Sequence, residues 1–245
     1  MNKISLSLAV FLLGISFLLQ SCTQGDSYSL NTSITSMATV EKTQGTVYPY
    51  FLLDNGKTVW ISIPMLSFQQ LTPGQRVIGN FTLLNSQKDG FDYFARLNGY
   101  SLVLTKEIIN LDLTNQTAIG NNPINFRAMW VGSHYLNVEF YVNAPNLLKQ
   151  SINLVINRLV APYDDGYAHF ELRYNNLGNT TTPLVPGIIS FDLGAFAPGN
   201  QGFKGLKILI KSIKNGLQEI VIGYPVKGSD GEEVNLGDEY VEQIL

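Results

Sequence analysis

The single cysteine of the chain, Cys22, carries the clearest chemical signal in the sequence. The segment Leu19–Cys22 places an apolar residue three positions before the thiol and a small residue directly before it, which is the pattern of a bacterial lipobox. The sulfur of a cysteine in this position forms a thioether to diacylglycerol, signal peptidase II cuts before the cysteine, and the freed amine is then usually acylated too. Since several acyl chains hold a protein firmly at a membrane, we predict that Cys22 is the lipidated first residue of the mature chain.

The residues before Cys22 are expected to be removed. Residues 4–19 contain no charged side chain and follow Lys3, which is the layout of a secretory signal. This run is shorter than the roughly 20 apolar residues that a transmembrane helix needs, and Gly14 and three serines interrupt it. Residues 1–21 are therefore predicted to be a lipoprotein signal peptide and residues 22–36 a lipidated, flexible tether.

Two histidines and an acidic pair are the other residues that could do chemistry. His169 precedes Glu171 by two positions, so the two side chains would share a strand face and could share a hydrogen bond, whereas His134 lies in another segment. Asp164–Gly166 could bind a hard cation, but it matches no full ligand loop and is typical of a hairpin turn. A glycosidase-like pair of carboxylates stays open, because sequence does not show which acids meet. We predict no catalytic residue, no metal site and no cofactor.

Composition limits the classes of partner. The net charge is -3 and no run of Lys or Arg occurs, so the electrostatic footprint of a nucleic-acid-binding protein is missing. One cysteine excludes a disulfide within the chain and a cysteine-based zinc site. The predicted partners are a lipid bilayer, through Cys22, and an envelope protein, peptide or glycan, but no nucleic acid.

Aromatic residues are the candidate ligand contacts, because exposed rings on a barrel face can stack on a sugar or a peptide. The candidate ligand-facing residues are Tyr48, Tyr50, Tyr93 and Tyr135. Alternatively, most aromatic residues fill the two cores or stiffen cross-strand pairs, and Trp60 is expected to be a core residue. Pro49 favours an edge or a bulge in its strand, where a partner strand could add.

From Met37 onward, short runs of β-branched and aromatic residues alternate with turn signals, which is typical of strands. Residues 37–107 hold five such runs. The Asn-Gly turn at Asp54–Lys57 favours a hairpin, and Thr72–Gln75 opens the fourth run with a turn. Residues 64–73, which follow the third run, could hold a short helix or an irregular crossover. This order predicts a small OB-type barrel.

Residues 108–227 are predicted to form an immunoglobulin-like β-sandwich, which makes the fold all-β. Leu136, Val138 and Phe140 alternate with more polar neighbours, as a half-buried strand requires. A second Asn-Gly turn, in Lys214–Leu217, predicts another hairpin. Residues 228–245 are expected to be an exposed acidic tail, with a docked terminal strand through Tyr240 and Val241 as the alternative.

Three segments resemble the NigD-like family of Bacteroidetes lipoproteins, and the resemblance covers nearly the whole mature chain. The segments are Trp130–Val138, Phe170–Asn175 and Ile189–Leu193. The resemblance implies an N-terminal OB domain and a C-terminal β-sandwich, and it brings no catalytic residues with it. The family is named after a gene near a bacteriocin locus, which implies an immunity role as one alternative.

The expected function is a non-catalytic binding or assembly role of a cell-envelope lipoprotein at the outer membrane. The alternatives are a bacteriocin immunity or protective protein and a polysaccharide-capture lipoprotein. The last alternative requires a solvent-exposed aromatic platform, and it loses most of its support if Trp60 and Trp130 are both buried.

Overall fold

The described part of the chain is built almost entirely from strands. The structure is a computed structural model that describes residues 32–42, 49–62, 71–84, 86, 88–143, 150–180, 183–200 and 202–224. Fourteen strands are assigned within these ranges: β1 Ser33–Glu41, β2 Tyr50–Leu53, β3 Thr58–Ile61, β4 Arg76–Leu83, β5 Tyr93–Leu102, β6 Leu104–Glu107, β7 Ile109–Leu111, β8 Asn125–Gly132, β9 Tyr135–Asn143, β10 Ser151–Asn157, β11 Ala168–Asn175, β12 Leu184–Asp192, β13 Gly205–Ser212 and β14 Gly216–Gly223. One helical turn, α1 (Gln116–Ile119), and a 3₁₀ turn at Gly194–Phe196 join them.

Several predicted features fall outside the described residues. They are the signal peptide, Cys22, Tyr48, the segment 63–70 and the acidic tail with Tyr240 and Val241. Within the described ranges, no helix has the length and apolar character to cross a membrane.

Strands β1 to β5 form a closed barrel with the order β1-β2-β3-β5-β4. Pairing of β1 with β4 closes it, and β3 and β5 run parallel. The inward side chains alternate along each strand, as the side-chain period of two requires. They form one apolar core: Ala38, Val40, Phe51, Leu53, Val59, Ile61, Leu71, Val77, Phe81, Ala95 and Leu97. The predicted OB-type barrel is confirmed.

The first strand begins earlier than the sequence suggested. Ser33–Ser36, predicted to belong to the tether, pairs with Gly79–Thr82 of β4 in an antiparallel ladder. Backbone hydrogen bonds define this part of β1, and its outward serine and threonine side chains carry no apolar signal. Composition alone therefore misassigned it to the tether.

The Asn-Gly turns form the predicted hairpins. Gly56 has φ +82° in the turn between β2 and β3, where the Leu53 amide donates to the Lys57 carbonyl over 2.8 Å. Gly216 has φ +70° where β13 turns into β14. Glycine reaches these positive φ values without the steric cost that a side chain imposes.

Strands β6 to β14 form the predicted sandwich. One sheet has the order β14-β13-β11-β10-β7 and the other β6-β12-β9-β8. Both sheets are mixed, because β7 runs parallel to β10, β11 to β13 and β6 to β12. Buried side chains from both sheets fill the space between them, among them Leu136, Val138, Leu154, Phe170, Leu172, Phe191, Leu206 and Ile208.

The junction of the two domains lies a few residues before its predicted position. Leu104–Glu107 pairs with Ile189–Asp192 and belongs to the sandwich, not to the barrel. The Lys106 ammonium donates to the Ile152 carbonyl and to the Asn153 side chain, each over 2.8 Å. It thereby ties β6 of one sheet to β10 of the other, and burial lowers its pKa from the ordinary value.

A buried arginine joins the barrel to the sandwich. Arg76 opens β4, is 1% exposed, and donates to both carboxylate oxygens of Asp54, over 2.5 and 2.9 Å. Its remaining donors reach Thr39 of the barrel (3.1 Å) and Asn137 and Ser190 of the sandwich (3.0 and 3.5 Å). A bidentate arginine–carboxylate pair is strong and fixes orientation. We call these five residues the joint.

The turns of both domains contact each other at the joint. The Asn137 amide donates to Asp54 over 2.8 Å, and the Ser133 backbone amide donates to the Asp54 carbonyl over 3.2 Å. A Cβ atom built on Gly132 would collide with the Asp54 carboxylate. Gly132 is therefore required for close approach, so that the carboxylate can reach Arg76.

Changing Gly132 to Ala is expected to destabilise the protein by about 1 to 3 kcal/mol, because the new methyl group pushes Asp54 away from its buried partner. Thermal or urea unfolding measures this loss. Gly99→Ala is the matched control, since a Cβ atom at Gly99 meets nothing within 4 Å. Equal losses for both variants would show that close packing at Gly132 does not hold the joint.

Candidate ligand-binding surface

Three aromatic rings form a cluster on the outside of the barrel. Tyr50 lies on β2, Trp60 on β3, and Phe91 in the loop between β4 and β5. The ring centroid of Phe91 lies 5.2 Å from that of Tyr50 and 4.9 Å from that of Trp60. All three rings are half-buried. We call Tyr50, Trp60 and Phe91 the barrel aromatic cluster.

The expectation that Trp60 is a core residue is wrong. Its neighbours Val59 and Ile61 are buried, at 0% and 5% exposure, and they take the inward positions of β3. Alternation along the strand then places Trp60 on the outer face. Trp130 is half-buried as well, so neither tryptophan is fully buried in a core.

The loop that carries Phe91 is fixed to β3. The Asp92 carboxylate accepts hydrogen bonds from the amide and the hydroxyl of Thr58, each over 2.8 Å, and Lys57 lies 3.4 Å away. These contacts, above all the backbone hydrogen bond from Thr58, hold the pKa of Asp92 below its ordinary value. The carboxylate is thus ionised at neutral pH and keeps Phe91 beside Trp60.

A groove of about 510 Å³ lies next to the cluster, between the end of β4 and the start of β5. Ser86, Lys88 and Asp89 line it together with Phe91 and Phe94. The Lys88 ammonium lies 5.4 Å from the ring centroid of Trp60. The barrel therefore presents aromatic rings next to polar donors and acceptors, which suits a ligand with both kinds of surface.

The predicted ligand-facing tyrosines lie in different environments. Tyr50 belongs to the barrel aromatic cluster, and Tyr93 lines the groove while packing partly against the barrel core. Tyr135 is only 5% exposed, because the Arg76 guanidinium lies over its ring at 4.4 Å from the centroid. Burial raises the pKa of Tyr135. Tyr135 therefore supports the joint and cannot belong to a solvent-facing surface.

The two histidines belong to segments of different sheets. His134 sits in the turn between β8 and β9, with its ring 4.1 Å from that of Tyr135. His169 lies on β11, where its Nε2 is 2.9 Å from Asp165. Glu171 shares the outer face with His169, as predicted, but pairs with Asn157 and Arg173 instead.

The acidic pair lies in the connection from β10 to β11, where residues 165–167 form a bend and not the predicted hairpin turn, and Asp165 joins an ion cluster that the sequence did not suggest. Gly166 has φ +82°, and the Tyr167 amide donates to the Asp165 carboxylate over 3.1 Å. Lys207 donates to the same carboxylate over 2.7 Å. Hydrogen bonds from Lys207, then from His169, hold the pKa of Asp165 far below its usual range. Among the described residues, no group of three or more metal-ligating side chains occurs.

Two family models match this chain, one for each domain. The model of the NigD-like N-terminal OB domain matches residues 37–101, and the model of the NigD-like C-terminal β-sandwich domain matches residues 107–224. The chain belongs to the NigD-like family. No protein with a curated description matches it.

Solved structures extend the likeness. A protein of unknown function, DUF1344, from Bacteroides vulgatus is 39% identical with a TM-score of 0.75, over 83% of this chain and 96% of that one. A toxin-related protein from Parabacteroides distasonis is 24% identical with a TM-score of 0.65, over 79% and 93% of the two chains. A NigD-like immunity protein from Bacteroides caccae is 15% identical with a TM-score of 0.51, over 79% and 93%. The last two show a shared fold.

Changing Asp165 to Asn is expected to reduce stability at neutral pH and to matter little in acid. The folded-state pKa of Asp165 lies below its ordinary value of 3.8. Its stabilising effect is therefore present above that value and is lost as the pH falls through the folded-state pKa. Urea unfolding at about pH 7 and about pH 2 should show the gap to the unmodified protein shrinking in strong acid.

Asp164→Asn is the matched control for this experiment, because it removes the same charge from the exposed neighbouring residue in the connection between β10 and β11. If Asp164→Asn produced the same pH-dependent gap, general charge balance and not the contacts with Lys207 and His169 would explain the effect.

Proposed function

We propose that this NigD-like chain is a lipid-anchored, non-catalytic binding protein of the outer membrane, and that it holds its ligand on the barrel aromatic cluster. The lipobox that ends at Cys22 supports the anchor. The observation that carries the binding role is the position of the cluster. OB folds bind oligosaccharides and oligonucleotides on the face of strands two and three and beside the loop between strands four and five, which is where Trp60 and Phe91 lie.

The physical properties of the cluster favour binding. Aromatic rings supply a large contact area and lose few rotamers when they are fixed. Since Asp92 already ties the neighbour of Phe91 to β3, a ligand does not have to fix this part of the chain, and pre-organisation of this kind improves affinity. The net charge of -3 disfavours nucleic acid. A glycan or a peptide is the ligand class that remains.

The environment of the histidines favours a non-catalytic role. A general base needs a free nitrogen within hydrogen-bond reach of the proton that it removes. Nε2 of His169 is engaged by Asp165, and the Tyr163 ring covers one face of the imidazole at a centroid distance of 3.8 Å. Among the described residues, the hydrogen bond of His169 joins it to Asp165 and not to a hydroxyl or a thiol, so this histidine is not paired with a nucleophile that it could activate.

A bacteriocin immunity role is the second candidate. It is favoured by two similar solved structures, one of a toxin-related protein and one of a NigD-like immunity protein. In that case the ligand of the barrel would be a secreted toxin, whereas polysaccharide capture would require a glycan. The barrel aromatic cluster could serve any of these ligands, so the identity of the bound material separates them.

The anchor predicts a defined mature terminus. The wild-type chain should fractionate with the outer membrane and should begin at an acylated Cys22, because several acyl chains hold a protein firmly. Cys22→Ser should release the chain from the membrane fraction. Intact-mass spectrometry and fractionation measure both results. A free thiol at Cys22, or a mature chain that begins elsewhere, would remove the anchor from the proposal.

The binding role predicts that truncating the cluster releases the ligand. Immobilised wild-type protein should retain a glycan or peptide from envelope extract or culture medium, and Trp60→Ala or Phe91→Ala should lower its affinity at least about tenfold, since an aromatic anchor contributes 2 kcal/mol or more. Trp130→Ala is the matched control, because Trp130 is a half-buried tryptophan on the sandwich. Equal retention by all variants contradicts the proposed surface.

A further inference from the structure

A second cavity lies on the sandwich, away from the barrel aromatic cluster. It has a volume of about 370 Å³, within the range of small-ligand pockets. The connection from β10 to β11 forms one wall with Pro162 and Tyr163. The outer face of the five-stranded sheet forms the floor with Lys207, Leu209 and Glu219.

Aromatic and aliphatic side chains dominate the walls. Phe196 and Phe203, from the connection between β12 and β13, face the cavity together with Ile156 and Val160. The two phenylalanine rings pack against each other with centroids 5.5 Å apart. A ligand must therefore present an apolar face to these rings.

The Tyr163 ring of the cavity is already held in a fixed orientation by a neighbouring imidazole. Tyr163 lies parallel to His169, with centroids 3.8 Å apart and planes 7° apart. One face of Tyr163 is thus covered, yet the residue is 60% exposed, so its other face is open to solvent. The imidazole holds the phenol ring in place before any ligand arrives, which reduces the entropy cost of binding.

Two basic groups of the cavity, Lys207 and His169, are already paired with carboxylates inside the protein. Lys207 lies 2.7 Å from the Asp165 carboxylate and 4.0 Å from Glu219. His169 shares Asp165 over 2.9 Å. The Arg158 guanidinium donates to the Asn110 side chain over 2.7 Å.

The acidic groups are engaged as well. One oxygen of Glu171 accepts from Asn157 over 2.6 Å, and the other pairs with Arg173. Glu219, beside Lys207, is the more accessible carboxylate, with its side chain 46% exposed. Apart from Arg158, whose exposed charge is hydrated, a charged ligand would meet no uncompensated opposite charge here, whereas a hydroxyl group could donate to Glu219 and accept from Lys207.

We propose that this cavity binds an uncharged saccharide ring. The open face of Tyr163 stacks on the apolar C–H face of the sugar, and Glu219 and Lys207 exchange hydrogen bonds with its hydroxyl groups. A sugar ring has an apolar face and a rim of hydroxyl groups that donate and accept. The apolar face matches the aromatic walls, and the rim matches the opposite charges of Lys207 and Glu219 on the floor. This site is additional to the proposed function, because it uses none of the residues of the barrel aromatic cluster.

Isothermal titration calorimetry on the full mature chain in detergent tests the proposal with defined probes. The panel contains neutral trisaccharides of glucose, galactose, mannose and N-acetylglucosamine, the trisaccharide of galacturonic acid, and N-acetylphenylalanine amide as a model of an aromatic peptide side chain. At least one neutral trisaccharide should bind, and both the acidic trisaccharide and the amide should bind more weakly.

Variants locate the binding. Tyr163→Ala should weaken it at least tenfold, whereas Tyr163→Phe should retain it, because the phenyl ring still stacks. Glu219→Ala should weaken it too. Leu113→Ala is the control, since Leu113 is 75% exposed and does not line the cavity. Thermal unfolding verifies that each variant is folded.

The proposal is overturned if no neutral trisaccharide binds, or if the acidic trisaccharide or the amide binds more tightly than every neutral one. It is also overturned if Tyr163→Ala binds as well as Tyr163→Phe. Saccharide binding that is lost in Trp60→Ala but kept in Tyr163→Ala would place the ligand on the barrel. That result would support the proposed function and refute this second site.

Discussion

The guanidinium of Arg76 is the group on which the arrangement of the two domains depends. Removing a positive charge from water costs several kcal/mol, and attraction offsets this cost only where the geometry is good and each donor finds an acceptor. Asp54 and Thr39 supply acceptors from the barrel, whereas Asn137 and Ser190 supply them from the sandwich. A displacement of either domain would leave a buried charge with incomplete contacts. The joint thereby specifies one relative orientation.

Much of the fold could be predicted, because turns and side-chain alternation are local properties. The joint could not, because its members lie far apart in sequence. Asn137 and Ser190 nevertheless belong to two of the three segments on which the family resemblance was based. These two strand segments therefore also supply the polar side chains with which the sandwich contacts Arg76. The position of Trp60 was wrong for a local reason, since a short run such as Thr58–Ile63 does not show which alternate positions face inward.

The candidate surfaces were predicted less completely than the fold. Tyr50 was identified from its residue type, but Phe91 lies in a loop that the sequence does not place beside β3. The sandwich cavity was missed because its floor depends on parallel pairing of β11 with β13, which aligns His169 with Lys207. Parallel neighbours are separated by long connections, so a single sequence does not reveal that they meet.

The parallel pairing of β6 with β12 has a consequence for the order of folding. The paired segments are Leu104–Glu107 and Ile189–Asp192, and contacts between such distant segments form slowly because a long loop must close first. The barrel is closed by residues before this loop, and Arg76 already meets Asp54 and Thr39 within it. A nascent chain can thus hold this arginine in a hydrated ion pair, and water leaves the pair only when β9 and β12 bring Asn137 and Ser190 to it.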